Sequence, residues 1–363
     1  MATITNENIP VFQTEVQVRP SGPPDQINLI QYDVSFSHIV GTSPSHSLLI
    51  STAGNTNNPF FHEACVFIPN HDELYITSNL LQATNSANFP TILISRVKLD
   101  RTPESNYVHS VHWQKLRPPQ GIDMPKGGVN FDDGILFCAQ GSPLAGTGGI
   151  YLMPRNAPPH PVVTNFHGRD FNSVNDIVMA KDGTLWFTDP CYGYDQEFRR
   201  KPKLPNQVYR YDPQNGNIRV VADGFGRPNG ICFSPDETVL YITDSDLIHG
   251  DGHKDLTRPA TIYAFDVIIS SGAPFLANRR VFAYAAVGSP DGIKCDIYGN
   301  VYAGCGDGVE VWSSGGFLIG RILVPGGVSN FCFGQDGEMF LCSEQNLWRL
   351  QLGPTTKGAL LGI

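Results

Sequence analysis

The sequence predicts an all-β chain wound as a six-bladed β-propeller, and three observations carry that prediction. The 363 residues include 37 glycines and 28 prolines, well above the roughly 12% that these two residues make up in an average protein, so the chain turns often. Hydrophobic residues reach 41% and aromatics 10% against only 16% charged, enough apolar material for a packed core and too much for disorder. Finally, a polar or glycine turn followed by an apolar strand recurs six times along the chain. A chain of this length is near the upper limit for one core, and we read residues 1–363 as a single propeller domain.

The repeated turns contain Asp72, Asp132, Asp182, Asp236, Gly299 and Asp336, and they open strands that begin near Leu74, Ile135, Leu185, Leu240, Val301 and Met339. The steps between these strands are 61, 50, 55, 61 and 38 residues, and a period of roughly 40–50 residues built from short strands is the spacing of propeller blades with stretched loops. The turn aspartates read as Asx-turn residues without chemistry. A further strand follows most copies, at 92–100, 208–212, 261–266, 309–312 and 347–350. The alternating segment 38–50 is expected to add an N-terminal strand to the last sheet and so close the ring, which removes an exposed edge.

Composition excludes several classes of function. The balance of 25 basic and 34 acidic residues gives a net charge of −9, and the longest basic cluster is Arg199-Arg200-Lys201, so nucleic acid is not an expected partner. No apolar run approaches the ~18 residues of a membrane span, and residues 1–10 lack the charged and apolar regions of a signal peptide. The eight cysteines form no C-x-x-C pair. Cys138, Cys232, Cys295, Cys305, Cys332 and Cys342 interrupt apolar segments and read as small buried hydrophobes. With no N-x-S/T sequon, these features predict a cytoplasmic protein.

Just before each repeated turn lies the segment expected to form an innermost strand, and oxygen-bearing residues recur there. Residues at equivalent places on successive inner strands surround one axis, so Glu63, Asn175, Asn229 and Asp291 are placed to point side-chain oxygens at a common centre. Two carboxylates and two carboxamides suit a hard divalent cation, and calcium, which takes six to eight oxygens, fits better than zinc or magnesium. The same residues would also begin these strands if they served only to cap turns.

Several stretches resemble the senescence marker protein (regucalcin)/gluconolactonase family. They are Phe171-Asn172-Ser173-Val174-Asn175-Asp176, Asp182 through Pro190 with Tyr192-Gly193, Arg227-Pro228-Asn229-Gly230, and Pro290-Asp291-Gly292-Ile293. The likeness covers roughly residues 55–345, leaving 1–54 as an extension that carries the closing strand. The resemblance implies a six-bladed propeller with one catalytic calcium in its channel, held by Glu63, Asn229 and Asp291, with Asn175 as ligand or substrate contact. It implies calcium-dependent hydrolysis of a small lactone, of sugar or hydroxy-γ-lactone type, to the hydroxy acid. Asp291 is the expected general base and Asn175 the residue that orients the substrate, with His62 or His167 as the alternative base. Arg169, Asn172, Tyr192 and Asn330 are expected as substrate contacts or walls. The chain departs from the family at His62-Glu63-Ala64-Cys65, where a Gly-Glu context is usual, and at Cys191, where a second proline is common.

No G-x-S-x-G elbow, P-loop or H-E-x-x-H is present. Gly146-Thr147-Gly148-Gly149 precedes a strand and reads as a loop, and residues 244–253 read as a polar loop at the channel mouth. Insertions at 80–90, 192–205 and 247–259 are expected to shape specificity. Two further readings remain. One is a natural-product enzyme that isomerises or cyclises a carbonyl compound on the same site, and the other a non-catalytic propeller stabilised by calcium that binds a protein partner.

Overall fold

The computed structural model describes residues 16–18, 27–81, 90–102, 106–117 and 121–363; most of the insertion expected at 80–90, and residues 1–10, lie outside them. Among the described residues, six antiparallel sheets stand in a ring, each built from consecutive strands running outward from the axis, with a strand from the N-terminal region added at the outer edge of the first, fifth and sixth. Their innermost strands are Glu63–Ile68, Pro125–Phe131, Ile177–Met179, Pro228–Phe233, Ile293–Cys295 and Asn330–Phe333. Each touches the next in order, and the sixth touches the first. The second strands, Glu73–Thr77, Gly134–Ala139, Leu185–Asp189, Val239–Asp244, Val301–Cys305 and Glu338–Ser343, are the apolar segments of the sequence repeat. They are buried on both faces, and so they read as nearly continuous hydrophobic runs instead of alternating ones.

The third strands fall at Ile94–Arg101, Gly149–Met153, Gln207–Asp212, Thr261–Ser270, Gly308–Trp312 and Asn346–Gln351. Two of the turn aspartates do local work: Asp182 accepts from the backbone and hydroxyl of Thr184, and Asp236 does the same for Thr238, whereas Asp72 receives Arg101 from the third strand of its blade. Seven of the eight cysteines are buried, and all are free. No helix among the described residues is long and apolar enough to cross a membrane.

Around the seam between first and last blades, Ser45–Ser51 is the outermost strand of the sixth sheet, antiparallel to Asn346–Gln351 with Leu48 opposite Trp348. The segment 38–50 is therefore not strand throughout, because Ser35–Val40 forms a short helix. Phe36 and Ile39, three apart, share one helical face and pack into the core that holds Tyr302, Val311, Phe331 and Trp348. A buried ion cluster spans the same seam. Glu338 of the sixth blade receives Arg101 of the first through both guanidinium ends, at 2.7 and 2.8 Å, and Arg349 of its own blade at 2.5 Å.

Candidate active site

The axial residues sit at the entering ends of the inner strands, and a repeated device fixes them there. Threonines at or one residue before the ends of three of the second strands donate their hydroxyls to backbone carbonyls of the next blade: Thr77 to Lys126 at 2.9 Å, Thr188 to Asn229 at 2.6 Å and Thr243 to Asp291 at 2.8 Å. The residue that follows each axial position lies against the next inner strand. A Cβ on Gly127 would fall 2.5 Å from the Asn175 carbonyl oxygen, and one on Gly292 would fall 2.5 Å from the Asn330 carboxamide, so only glycine allows that approach. Where the first blade has no glycine, Ala64 and Cys65 take φ values of 60° and 51°, and the strand register slips between Glu63 and Val66. Such bulges re-aim side chains beside functional sites.

Glu63, Asn175 and Asn229 are buried and Asp291 is partly exposed. The Asn175 amide donates to Asn229 Oδ1, and Asn330 Nδ2 donates to Glu63 Oε2 at 2.6 Å. Ligand atoms of His62, Glu63 and Asp291 lie within 4.8 Å of one another. Burial and the neighbouring Glu63 charge push the Asp291 carboxyl well above the carboxylate range. Burial opposes the Glu63 charge too, but the Lys126 ammonium, His62 and the Asn330 amide hold its carboxyl below the ordinary value. In the ion-free site the two carboxyls therefore oppose each other's charge, and the opposition falls mainly on Asp291. Tyr192 closes one wall, its hydroxyl 3.5 Å from Asn229 Nδ2, and burial with the Asp291 charge raises its pKa.

Two residues complete the site that the sequence did not single out. Lys126 places Nζ 3.5 Å from Glu63 Oε1, and Glu344 holds His62 through Nδ1 at 2.7 Å. Lys126 stands in Pro125-Lys126-Gly127, the same frame as Pro228-Asn229-Gly230 and Pro290-Asp291-Gly292. That frame was available in the sequence, but a search for oxygen donors passes over a lysine. Glu344 lies 282 residues from His62, and no local pattern joins them.

His167 and Arg169 are placed elsewhere. They belong to an exposed hairpin, Asn165–Phe166 paired with Arg169–Asp170, where His167 occupies the left-handed turn at φ 49° and both rest on the Phe166 ring. Their nearness in sequence to Asn172 does not bring them to the axis. Asn172 is buried, but its amide holds the carbonyls of Leu204 and Pro205. Arg199 is likewise occupied, by the carbonyls of Ser142, Phe171 and Asn172.

Above the site, the loops at 192–205 and 247–259 meet through Asp195, which accepts from Gly250 N and pairs with Arg227. Asp246 pairs with Arg227 and Arg258, and Asp244 accepts the amides of Gly226 and Arg227. At the other end of the inner strands lies a mainly apolar cavity of about 290 Å³, lined in part by Cys65, Cys232, Cys295, Cys332 and the C-terminal residues Gly358–Leu361.

Residues 122–345 match the SMP-30/Gluconolactonase/LRE-like family, and the chain belongs to it. It is 34% identical over 201 residues to a gluconolactonase of Zymomonas mobilis, covering 52% of this chain and 53% of that protein. It is 29% identical over 313 residues to lactonohydrolase oryL of Aspergillus oryzae, covering 80% and 68%. The chain thus spans about half of the first relative and about two thirds of the second. Among solved structures, a gluconolactonase from Xanthomonas campestris superposes with a TM-score of 0.70 at 25% identity, over 93% of this chain and 99% of that one.

Proposed function

We propose that the axial cluster binds calcium and hydrolyses a small hydroxylated lactone to its hydroxy acid. One observation carries the reading: Glu63 Oε1, Asn175 Oδ1 and Asp291 Oδ1 are all buried with no hydrogen-bond partner. Buried polar atoms are normally satisfied, and oxygens without a hydrogen-bond donor on successive inner-strand segments suit a hard cation, with the Lys126 ammonium 3.5 Å from the Glu63 oxygen. Glu63, Asn175, Asn229 and Asp291 would hold it. When bound, calcium supplies a Lewis acid that polarises the lactone carbonyl and offsets negative charge on its oxygen.

The chain's own groups do the rest. Water adds to the acyl carbon, the acyl–oxygen ring bond breaks, and the proton removed from water ends on the departing alkoxide. Two groups can take that proton. One is Asp291. The other is His62, whose Nδ1 is held by Glu344, so that Nε2 is the ring nitrogen left for transfer. The Asn175 carboxamide and the Tyr192 hydroxyl provide hydrogen bonds to orient ring hydroxyls, which favours a sugar-type lactone over an apolar one. The family membership and the lactone-hydrolysing relatives support the same chemistry.

The test is product analysis on a panel of aldono- and hydroxy-γ-lactones. Hydrolysis yields a product one water heavier and releases a proton. A product of unchanged mass would replace hydrolysis with isomerisation, and no product from any lactone would reject the assignment.

A further inference from the structure

Lys126 is a cation built into a site whose other members are oxygen donors. Its backbone is placed as those of Asn229 and Asp291 are, in the same Pro-x-Gly frame and under the same threonine hydroxyl from the preceding blade. Its side chain is only 11% exposed, and its ammonium stands 3.5 Å from Glu63 Oε1, one of the three buried oxygens without a hydrogen-bond partner. An ion held by Glu63, Asn175, Asn229 and Asp291 would share that oxygen with the ammonium. Like charges this close repel strongly where water is excluded. An uncharged residue here would leave the two carboxyls to face the ion without competition.

We propose, resting on the calcium reading above, that Lys126 is a tethered counter-cation that competes with the divalent ion for Glu63 Oε1. The site then takes calcium weakly and reversibly, and its occupancy follows the ambient calcium concentration. With the ion absent, Lys126 remains as the partner that keeps the Glu63 charge tolerable in a buried position.

The experiment is calorimetric titration of calcium chloride into the chelator-stripped full chain, with the shift in melting temperature at saturating calcium as a second readout. Wild type is compared with Lys126→Met, which keeps length without charge, and with Lys126→Arg, which keeps charge. Lys126→Gln serves where the methionine variant does not fold. The proposal expects the dissociation constant to fall at least about tenfold in the methionine or glutamine variant, a factor equivalent to one pKa unit of charge interaction. It expects a larger calcium-induced melting shift in that variant and no tightening in the arginine variant. Binding detected only in the uncharged variant is the same result in extreme form. Equal or weaker binding in the uncharged variant overturns the proposal while leaving the calcium site standing. Absence of binding in every protein overturns both.

Discussion

At the scale of single residues, Glu63 carries the heaviest demands. It is 1% exposed, bound by Asn330 through one oxygen and faced by Lys126 through the other. Glu63→Gln keeps the shape and removes the charge. We expect it to fold and to lose at least a hundredfold in lactone turnover, the scale on which a single charge-stabilising group acts in catalysis; turnover within a few-fold of wild type would remove Glu63 from the site. Asn330→Ala strips the buried carboxylate of its donor and should cost about 1–3 kcal/mol in denaturant unfolding. The buried Asp189, at the end of a second strand, gives a pH signature. Burial lifts its carboxyl to about 7, although the amides of Asn172 and Ser173 both donate to it and pull the other way. A group raised above its unfolded value contributes stability fully below the unfolded pKa, and that contribution is lost as pH rises through the folded one. Urea unfolding of wild type should therefore show a contribution that declines from about pH 4 through about pH 7, and Asp189→Asn should flatten that decline. Equal slopes in the two proteins would contradict the shift.

At the scale of elements, the seam between first and last blades shows how sequence and packing divide the labour. The ion cluster joins Arg101 to Glu338 across blades and Arg349 to Glu338 within one. Glu338→Ala leaves the Arg349 guanidinium without its carboxylate and Arg101 with Asp72 alone, and should cost about 3–5 kcal/mol, measured as a lowered urea midpoint. A loss below about 1 kcal/mol would mean that both arginines reach water instead. The strands themselves were legible because each second strand repeats its turn and apolar run, but Ser35–Val40 was not. The expected strand 38–50 overlaps this helix only at residues 38–40, too few for a period to show, and the helical face is fixed by Phe36 and Ile39 packing into the core that holds Trp348. The hairpin carrying His167 and Arg169 shows the opposite error. A motif that begins at Phe171 lent its neighbours a role, whereas two short strands fold them back onto Phe166.

At the scale of the whole molecule, the ring turns a one-dimensional repeat into a convergent site. Residues 63, 126, 175, 229 and 291 lie far apart in sequence and meet only because six inner strands close on one axis. The four oxygen-bearing members proposed as ion ligands stand out in the sequence because their residue types suit one purpose. Lys126 could not, since its role depends on a charge set against Glu63, and neither could Glu344, which acts through His62. If, as proposed, this convergence makes an ion-dependent hydrolytic centre, turnover must follow the ion. The most direct test follows proton release from a reactive sugar lactone while free calcium is varied, first stripped with chelator and then restored, in wild type and in Asp291→Asn. Turnover is expected to vanish with chelator, to return with calcium and to be absent at every calcium level in the variant. Turnover that is indifferent to chelator, or that survives in the variant, would contradict the proposal.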